Sequence, residues 1–396
     1  MTPQFHYAIV GRGLTGAAAA RHLAEQVPGV VLIGPDEPTD RANHNGVFAS
    51  HYDEGRITRT IDPDETWARL ANRSIARYAD VESRSGVHFF REKGCLISGD
   101  ASEPSQRHMR DVREAADRLG VRCERLDDDR LRARFPYFKF PAGADAAFEP
   151  RGAGHISPRR LVAAQSLLTE RAGGTVIREE VHAIDQKDGH AEITLASGQA
   201  VSAQKVLVAA GGFTNRRGLL PEPLDLTVYA RTVVLIEVDA AQADELSGMP
   251  CLITKPDDGV SGIYLLPPIL YPDGRFYLKI GGDPADIALQ TEEDVRGWFR
   301  TPGNAAARDH LVASMMQLLP GLRVAGMRTE PCVTSFTPTG YPAIGWTSGS
   351  STAVMAGGCG AAAKGSDEIG RLGAELLLHG RIVDSAYRAD FEPRFL

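Results

Sequence analysis

The segment Tyr7-Ala8-Ile9-Val10-Gly11-Arg12-Gly13-Leu14-Thr15-Gly16 decides the fold of this chain. It predicts a short buried strand, a glycine turn and the start of a helix, because apolar residues precede the glycines and four alanines follow them. With this spacing, Gly11 permits the tight turn, Gly13 lets the backbone approach a pyrophosphate, and Gly16 lets the helix pack closely on the strand. The helix N-terminus then offers free N–H groups to phosphates. The segment therefore predicts a dinucleotide site, the alternative being a glycine-rich turn without a ligand.

A second strand is predicted over residues 30–33, where the sequence is Val-Val-Leu-Ile. In dinucleotide-binding units this strand commonly ends in Asp or Glu, which binds the ribose hydroxyls. Here Gly34 stands at that end, and Asp36 and Glu37 follow shortly after it. Either Asp36 or Glu37 reaches back to the ribose, or the ribose is held in another way. The missing acidic residue disfavours NAD more than FAD, whose other contacts are spread along the chain.

Composition excludes several functional classes. The 396 residues favour two domains, and the formal net charge of −7 argues against nucleic acid as the main partner. The chain has no apolar run of membrane-spanning length and no signal pattern, so we expect a cytoplasmic protein without membrane contact. The five cysteines lack CxxC spacing and the histidines are dispersed, which predicts neither a disulfide framework nor a metal site.

The middle of the chain has a different pattern from its two ends. Residues 232–238, 262–266 and 275–280 alternate between apolar and polar side chains, which is typical of antiparallel strands. Residues 292–316 have helical spacing and are predicted to form one helix. We therefore predict a second domain, rich in β-structure, inserted into the first.

The C-terminal region returns to α/β character and contains a second glycine-rich loop. A short strand over 352–356 leads into Gly357-Gly358-Cys359-Gly360-Ala361-Ala362-Ala363-Lys364-Gly365, and a helix is predicted from Ser366 to Leu378 with Ser366 as its N-cap. A loop with few side chains at a helix N-terminus suits a planar, electron-rich group. The helix dipole and Lys364 would stabilise the negative charge of a reduced flavin. The alternative is an ordinary strand–helix turn.

Three further sets of residues are candidates for chemistry. Arg56 and Arg59 follow His51-Tyr52-Asp53, and arginine suits bidentate capture of a carboxylate, although two solvated arginines would give the same pattern. Lys279 lies in an apolar strand, where an inward lysine is costly unless it is paired or used; the alternative is an exposed strand position. Cys332 by itself is typical of an ordinary buried cysteine.

Taken together, these segments resemble the D-amino acid oxidase-like flavoproteins, most closely the monomeric sarcosine oxidase group of N-methyl amino acid oxidases. The likeness extends over the whole chain and comprises, in order, the GxGxxG turn, Arg56-Ile57-Thr58-Arg59, Ala210-Gly211-Gly212-Phe213, Leu278-Lys279-Ile280-Gly281, Cys332 before Thr337-Pro338, and Gly360 through Lys364. The resemblance implies an α/β fold with a Rossmann-like FAD-binding domain (1–85, 150–225 and 325–396). It also implies an interleaved α+β substrate-binding domain on a mostly antiparallel β-sheet (86–149 and 226–324).

The resemblance also implies roles for individual residues. In that group the cysteine before Thr-Pro carries FAD through a thioether at the flavin 8α position, which implies covalent FAD at Cys332. It implies that Arg59 and Lys364 clamp the substrate carboxylate, that Arg56 lies nearer the flavin, and that Lys279 lies over flavin N5 and promotes reaction with oxygen. The implied FAD-binding residues are Gly11, Gly13, Leu14, Thr15, Gly16, Asp36, Arg56, Val181, Ala210, Gly211, Cys332, Gly358, Gly360, Ala361, Ala362 and Lys364.

The chain departs from this group at two positions. Asp283 stands where sarcosine oxidases carry an active-site histidine four residues after the strand lysine, and Ala361 stands where they carry a histidine in the glycine-rich loop. Both changes imply a larger or differently polar pocket, so we expect an amino or imino acid with a bulkier body than sarcosine. Tyr264 and Asp283 join Arg59 and Lys364 in the expected substrate-binding set.

The sequence thus predicts an FAD-dependent amine oxidase that converts a secondary or primary amino acid to the imine by hydride transfer to flavin N5. Oxygen would reoxidise the flavin and yield H2O2, and the protein would be a monomer or a homodimer. The alternative is a dehydrogenase of the same fold that passes electrons to a quinone or a protein acceptor, which Lys279 disfavours. A non-catalytic flavoprotein subunit is disfavoured by the joint presence of Arg59, Lys279, Cys332 and Lys364.

Overall fold

The computed structural model describes residues 4–255, 262–349 and 351–396. Within these ranges the helices are α1 (Leu14–Ala24), α2 (Glu65–Ser85), α3 (Glu103–Leu119), α4 (Asp128–Arg134), α5 (Pro158–Arg171), α6 (Ala240–Glu245), α7 (Glu292–Phe299), α8 (Ala305–Leu318) and α9 (Ala362–His379). The first ten strands are β1 (Phe5–Val10), β2 (Val30–Ile33), β3 (Arg56–Thr58), β4 (Phe90–Glu92), β5 (Cys95–Gly99), β6 (Glu124–Leu126), β7 (Asp145–Glu149), β8 (Gly154–Ile156), β9 (Thr175–Ile177) and β10 (Val181–Lys187). The others are β11 (His190–Leu195), β12 (Ala200–Val208), β13 (Thr227–Val238), β14 (Cys251–Lys255), β15 (Ile263–Leu270), β16 (Phe276–Gly281), β17 (Ile287–Leu289), β18 (Gly326–Phe336), β19 (Ala343–Trp346) and β20 (Thr352–Ala356).

The first sheet has a parallel core in the order β9, β2, β1, β12, β20, extended by antiparallel strands. Its central strands are apolar because both faces are covered; all four residues of β2 are buried, for example. In a parallel sheet the carboxyl ends of the strands meet at one edge, where α/β proteins bind their ligands. Here β1, β12 and β20 end together at that edge, and each is followed by a glycine-containing turn.

Helices α1 and α9 pack against each other on one face of this sheet. Small residues allow the close approach: a Cβ built on Gly370 would lie 2.5 Å from the Cβ of Ala18 and 2.6 Å from the backbone N of Ala19. A side chain at Gly370 would therefore force the two helices apart. This contact places the first turns of α1 beside the middle of α9.

The second sheet runs in the order β17, β13, β16, β15, β14, β5, β7, β6, with β18 paired to β13. It is mixed, because β14 and β5 are parallel, while its other pairs are antiparallel. The predicted fold class, an α/β unit with a mostly antiparallel second sheet, is thus confirmed. The domain boundaries stay a prediction.

The structure corrects the expected single helix over 292–316. Helix α7 ends at Phe299, and α8 begins at Ala305. Pro302 and Gly303 lie between them, and Gly303 has a φ of +96°, which a right-handed helix does not allow. Asn304 then caps α8 by accepting from the backbone N–H of Ala307. Among the described residues, no helix is both long enough and apolar enough to cross a membrane.

Candidate active site

The turn between β1 and α1 forms one end of the site. Gly11 has a φ of +115°, and a Cβ there would overlap the carbonyl of Ala209, so glycine is required. At Gly13, the N-cap of α1, a Cβ would meet only His51 Nδ1, at 4.0 Å. The helix has no side-chain cap and no acidic residue in its first turn. Its free N–H groups therefore face open space, as a phosphate-binding turn requires.

The Arg12 side chain lies against the end of β2, next to the position where Gly34 replaces the acidic residue. Its Nε donates to the carbonyl of Gly34 at 3.0 Å, and its guanidinium pairs with Asp36. A Cβ on Gly34 would lie 2.6 Å from the Cβ of Arg12, so the arginine excludes any side chain there. Asp36 is largely exposed and also pairs with Arg178, at 3.0 Å. The surrounding arginines lower the pKa of its carboxyl, against the effect of partial burial.

The C-terminal glycine loop forms the other end of the site. Cys359 has a φ of +47°, and it is the one residue other than glycine with a positive φ in the described ranges. Helix α9 begins at Ala362, four residues earlier than predicted, so Lys364 lies in its first turn. Ser366 is not the N-cap; its Oγ donates to the carbonyl of Ala363 inside the helix, at 3.0 Å. Ala362 and Ala363 extend the helix because alanine has a high helix propensity.

A cavity of about 590 Å³ connects these two ends. Most of the predicted residues line it: Gly11, Gly13, Leu14, Thr15, Arg56, Arg59, Val181, Ala210, Gly211, Tyr264, Asp283, Cys332, Gly358, Gly360, Ala361, Ala362 and Lys364. Gly16, Asp36 and Lys279 are not among the described residues that line it. Gly16 packs under the turn, Asp36 faces the surface, and Lys279 is completely buried behind the wall.

Arg59 and Lys364 meet across the buried carboxylate of Asp62. Oδ2 of Asp62 lies 2.8 Å from a guanidinium nitrogen of Arg59 and 3.1 Å from Nζ of Lys364. Burial lowers the pKa of Lys364 to about 8, although Asp62 opposes that effect. Nε of Arg59 is buried and has no hydrogen-bond partner in the described part of the chain. The pair therefore has donor capacity left for an incoming carboxylate.

Lys279 points inward from β16 and forms a buried ion pair with Asp53. Its Nζ also donates to the carbonyl of Gly55, at 2.8 Å. Burial, together with the nearby charge of Arg56, lowers the pKa of Lys279 well below its usual value. Arg56 pairs with the same Asp53 and lies 3.5 Å from Sγ of Cys332. Asp53 thus holds Arg56 and Lys279 together, and Arg56 in turn contacts Cys332.

Asp283 and Tyr264 lie on the side of the cavity formed by the second sheet. The Asp283 carboxylate accepts from the backbone N–H of Thr232 at 2.9 Å, and burial raises the pKa of this carboxyl to about 6. The Tyr264 ring lies against Lys279, with Nζ 5.8 Å from the ring centroid. This side of the cavity is therefore partly acidic and partly aromatic.

Three residues of the site were not assigned a role from the sequence. Asp62 and Asp53 pair with the predicted cations, and Arg12 fills the space beside Gly34. For Asp62 and Asp53 the signal was their position three residues from an arginine, which allows a local ion pair but does not reveal the lysine partner. Nothing in the sequence indicated that Arg12 would turn toward Gly34.

The residues of this cavity fit a bound dinucleotide. Neither α1 nor α9 has a side-chain cap, so both helix N-termini offer free N–H groups to negative charge. His51 Nδ1 and Thr334 Oγ1 are buried in the wall without a hydrogen-bond partner among the described residues. A Cβ on Gly211 would point into open space, so a ligand could lie directly on this backbone.

Comparison with protein families gives a match over residues 6–376 to the family of FAD dependent oxidoreductases, abbreviated DAO. The chain belongs to this family. The resemblance stated from the sequence is thereby confirmed, and FAD is the dinucleotide that the family uses. The chain is therefore an FAD-dependent oxidoreductase.

Individual relatives are all distant. The chain is 24% identical to monomeric sarcosine oxidase of Bacillus sp. strain NS-129 over 388 residues, 96% of this chain and 95% of that enzyme. The match to monomeric sarcosine oxidase of Bacillus sp. strain B-0618, also 24% identical, spans 265 residues, 66% of this chain and 65% of that enzyme. Among solved structures, NikD, described as an unusual amino acid oxidase essential for nikkomycin biosynthesis, aligns with a TM-score of 0.76 and 22% identity over 100% of this chain and 98% of its own. Glycine oxidase from Geobacillus kaustophilus aligns with a TM-score of 0.74 and 19% identity over 99% of both chains.

Proposed function

We propose that this protein is an FAD-dependent amine oxidase that acts on a secondary or primary amino acid. The observation that carries this proposal is the pair formed by the partly buried Arg59 and the buried Lys364, both of which line the cavity and share the carboxylate of Asp62. Two cations and one carboxylate leave a net positive charge for a substrate carboxylate. The substrate would then be anchored by its carboxylate, with its amine and α-carbon extending toward the glycine-rich turns.

We infer that the substrate has a larger body than sarcosine. Ala361 adds little bulk to the glycine loop, and Asp283 accepts hydrogen bonds on the opposite side of the cavity. The cations at the carboxylate end lower the pKa of the substrate amine, because like charge disfavours its protonated form. A neutral amine has the lone pair that oxidation of the adjacent C–H bond requires. No side chain is assigned as a general base.

When bound, FAD would accept the two electrons released by oxidation of the substrate C–N bond and would pass them to oxygen, which becomes H2O2. We propose that Cys332 holds it covalently. Arg56 donates a hydrogen bond to Sγ of Cys332 at 3.5 Å, and both residues line the cavity, so the sulfur is held at the wall of the proposed FAD site. Lys279 is proposed to supply the fixed positive charge that favours oxygen reduction. A cytoplasmic location and a monomeric or homodimeric state stay predictions.

The test is to add a panel of amino acids to the purified holoenzyme without oxygen and to follow the flavin absorbance. The panel contains sarcosine, larger N-alkyl amino acids, cyclic imino acids and the matching 2-hydroxy acids. We expect an amino acid larger than sarcosine to bleach the flavin and the hydroxy acids to have no effect. Arg59→Ala should weaken binding of the active compound roughly 10- to 100-fold, because a hydrogen bond to a charged group contributes about 1.5–3 kcal/mol.

The matched control is Arg69→Ala, which removes a partly exposed arginine of α2 that pairs with Glu65. On admission of air, H2O2 should form in proportion to the substrate consumed. If a quinone restores the flavin absorbance and oxygen does not, the result would support the dehydrogenase instead. Bleaching by the hydroxy acids, or equal binding by wild type and Arg59→Ala, would contradict the proposed substrate class.

A further inference from the structure

A second cavity, of about 450 Å³, shares a wall with the first, because Arg56 and Cys332 line both. Its lining includes several charged groups: Arg41, Arg159, Asp273, Arg328 and Glu330. Ionised side chains hold water more strongly than apolar ones do. This cavity therefore suits water and protons better than it suits an apolar gas or an apolar substrate.

Asp53 lines the second cavity and is not among the described residues that line the first. One of its oxygens, Oδ1, accepts from the hydroxyl of Tyr271 at 2.9 Å and from the backbone N–H of Glu54 at 2.7 Å. The other oxygen, Oδ2, accepts hydrogen bonds from Nζ of Lys279 and from the guanidinium of Arg56. The carboxylate thus lies between a water-accessible cavity and a lysine that is 0% exposed.

Lys279 has no solvent-exposed surface. The lysine side chain is enclosed by strands and by the carbonyl of Gly55, 2.8 Å from Nζ. Asp53 is a neighbour of Nζ that can both accept and donate a proton and that faces a cavity. The charged and titratable groups facing Lys279 are Asp53, Arg56, Tyr264, Glu330 and Cys332.

We propose that Asp53 carries protons between the second cavity and Lys279, so that oxygen reduction obtains a proton by a route separate from the substrate cavity. This inference rests on the proposed function, because it assumes that Lys279 assists oxygen reduction. Asp53 acts through Lys279 and is a positioning and relay residue. The second cavity is its supply of water.

Oxidation of the amine to the imine releases two electrons and two protons, and reduction of O2 to H2O2 consumes two of each. The Lys279 ammonium gives one proton to the reduced oxygen, so an N–H bond breaks, an O–H bond forms and the electron pair stays on nitrogen. Asp53 takes a proton from hydronium in the second cavity and passes it to the neutral Lys279 amine, which restores the carboxylate. The two electrons and the other proton come through the cofactor from the substrate.

The experiment uses the holoenzyme reduced with one equivalent of dithionite, so no substrate has to be known. Reduced protein is mixed with oxygenated buffer between about pH 6 and about pH 9, and flavin absorbance reports reoxidation. We expect Asp53→Asn to reoxidise at least about tenfold more slowly than wild type, with the largest loss at high pH, where hydronium is scarce. Added formate should restore much of the rate in this variant by carrying the proton in place of the missing carboxylate.

Two variants serve as controls, and a third covers the risk that Asp53→Asn does not fold. Asp273→Asn removes another carboxylate of the second cavity, one that pairs with Arg328 and not with Lys279, and should reoxidise like wild type. Asp53→Glu keeps the carboxylate and should retain most of the rate. Tyr271→Phe removes one hydrogen bond to Asp53 without changing the charge and should cause a smaller slowing than Asp53→Asn.

A second measurement does not involve turnover. The absorbance of the oxidised, resting flavin is recorded as a function of pH in the wild type and in Lys279→Met. An absorbance change that occurs in the wild type but not in Lys279→Met reports the ionisation of Lys279. Loss of the Asp53 charge removes a group that favours the ammonium form, so the midpoint of this change should move to lower pH in Asp53→Asn. An unchanged midpoint would show that Asp53 does not act on Lys279.

The outcomes separate this inference from the proposed function. Slow, formate-rescued reoxidation in Asp53→Asn supports the relay. If Lys279→Met is slow while Asp53→Asn equals wild type, the relay is wrong and the role of Lys279 stands. A slowing in Asp53→Asn that is uniform with pH and insensitive to formate also contradicts the relay. If Lys279→Met itself reoxidises normally, the proposed role of Lys279 fails, and the relay fails with it.

Discussion

Lys364 and Asp62 form a buried ion pair, with 3.1 Å between Nζ and Oδ2, at the place where helix α9 meets the loop before α2. The Lys364 side chain is 2% exposed and that of Asp62 8%. Arg59 shares the same oxygen, at 2.8 Å. A carboxylate from the protein thus holds the two cations together from behind, and the cavity side of the pair stays open to a ligand.

This ion pair predicts the pH dependence of carboxylate binding. Lys364 has a pKa of about 8, so its charge, and with it the affinity for a simple carboxylate such as propionate, should fall as the pH rises through about 8. In Asp62→Asn the pKa of Lys364 should fall further, because Asp62 raises it, and the loss of affinity should begin at a lower pH. The dissociation constant, measured from flavin difference spectra across this range, checks the prediction.

The control for Asp62→Asn is Glu65→Gln, which removes a half-exposed carboxylate of α2 that pairs with Arg69. Its binding curve should keep the wild-type midpoint. Identical midpoints in Asp62→Asn and wild type would show that Asp62 does not set the charge of Lys364.

Lys279→Met should separate the two half-reactions of the proposed oxidase. Methionine has nearly the same length without the charge, so the fold should be kept while the fixed cation is lost. Asp53 would retain its contacts with Arg56 and Tyr271, which limits the cost of removing the lysine. We expect reoxidation by oxygen to slow far more than reduction by substrate, both followed by rapid-mixing absorbance. Equal slowing of both steps would remove Lys279 from oxygen chemistry.

Cys332→Ser tests the covalent attachment of FAD. The wild-type protein, denatured in acid and centrifuged, should keep its yellow colour in the pellet, whereas the variant should release flavin to the supernatant. Cys359→Ser is the matched control, because this cysteine lies in the glycine loop, where its Sγ donates to the carbonyl of Gly357 at 3.3 Å, and not beside Arg56. Release of flavin from the wild type would mean noncovalent FAD and would leave the fold assignment unchanged.

Gly13→Ala should separate folding from cofactor binding. Gly13 has a φ of −92°, which alanine adopts freely, and the new Cβ would have no close contact in the described structure. We expect a change in unfolding free energy of less than about 1 kcal/mol, the usual scale for a cap position. FAD content should fall nevertheless, because the methyl group occupies the path of the pyrophosphate.

Thermal unfolding of the flavin-free protein and the ratio of flavin to protein absorbance check this prediction together. Gly297→Ala, in α7, is the control, since a Cβ there also meets nothing within 4 Å and Gly297 lines neither cavity. Full flavin content in Gly13→Ala would argue against a close approach of the pyrophosphate at this turn.

Local sequence patterns were sufficient for the parts of the site that depend on backbone conformation. Gly11 must be glycine because its φ is positive, and Lys279 was suspected of pointing inward because its strand neighbours are apolar. Local patterns were less reliable at helix ends. The serine at 366 looked like an N-cap, yet packing of α9 against α1 and α2 continues the helix back to Ala362. Periodicity alone predicted one helix over 292–316, but Pro302 and Gly303 separate α7 from α8.

The sequence by itself was enough to predict the family and the glycine turns and to single out the cations as candidates, because each of these rests on short local motifs. Only the tertiary structure decided what those cations are paired with. Asp53 and Lys279 are 226 positions apart, and they meet because β16 crosses the loop before β3. Strand order and crossing depend on the packing of the whole chain, and no local pattern records them. The charge of the site is therefore a property of the folded molecule.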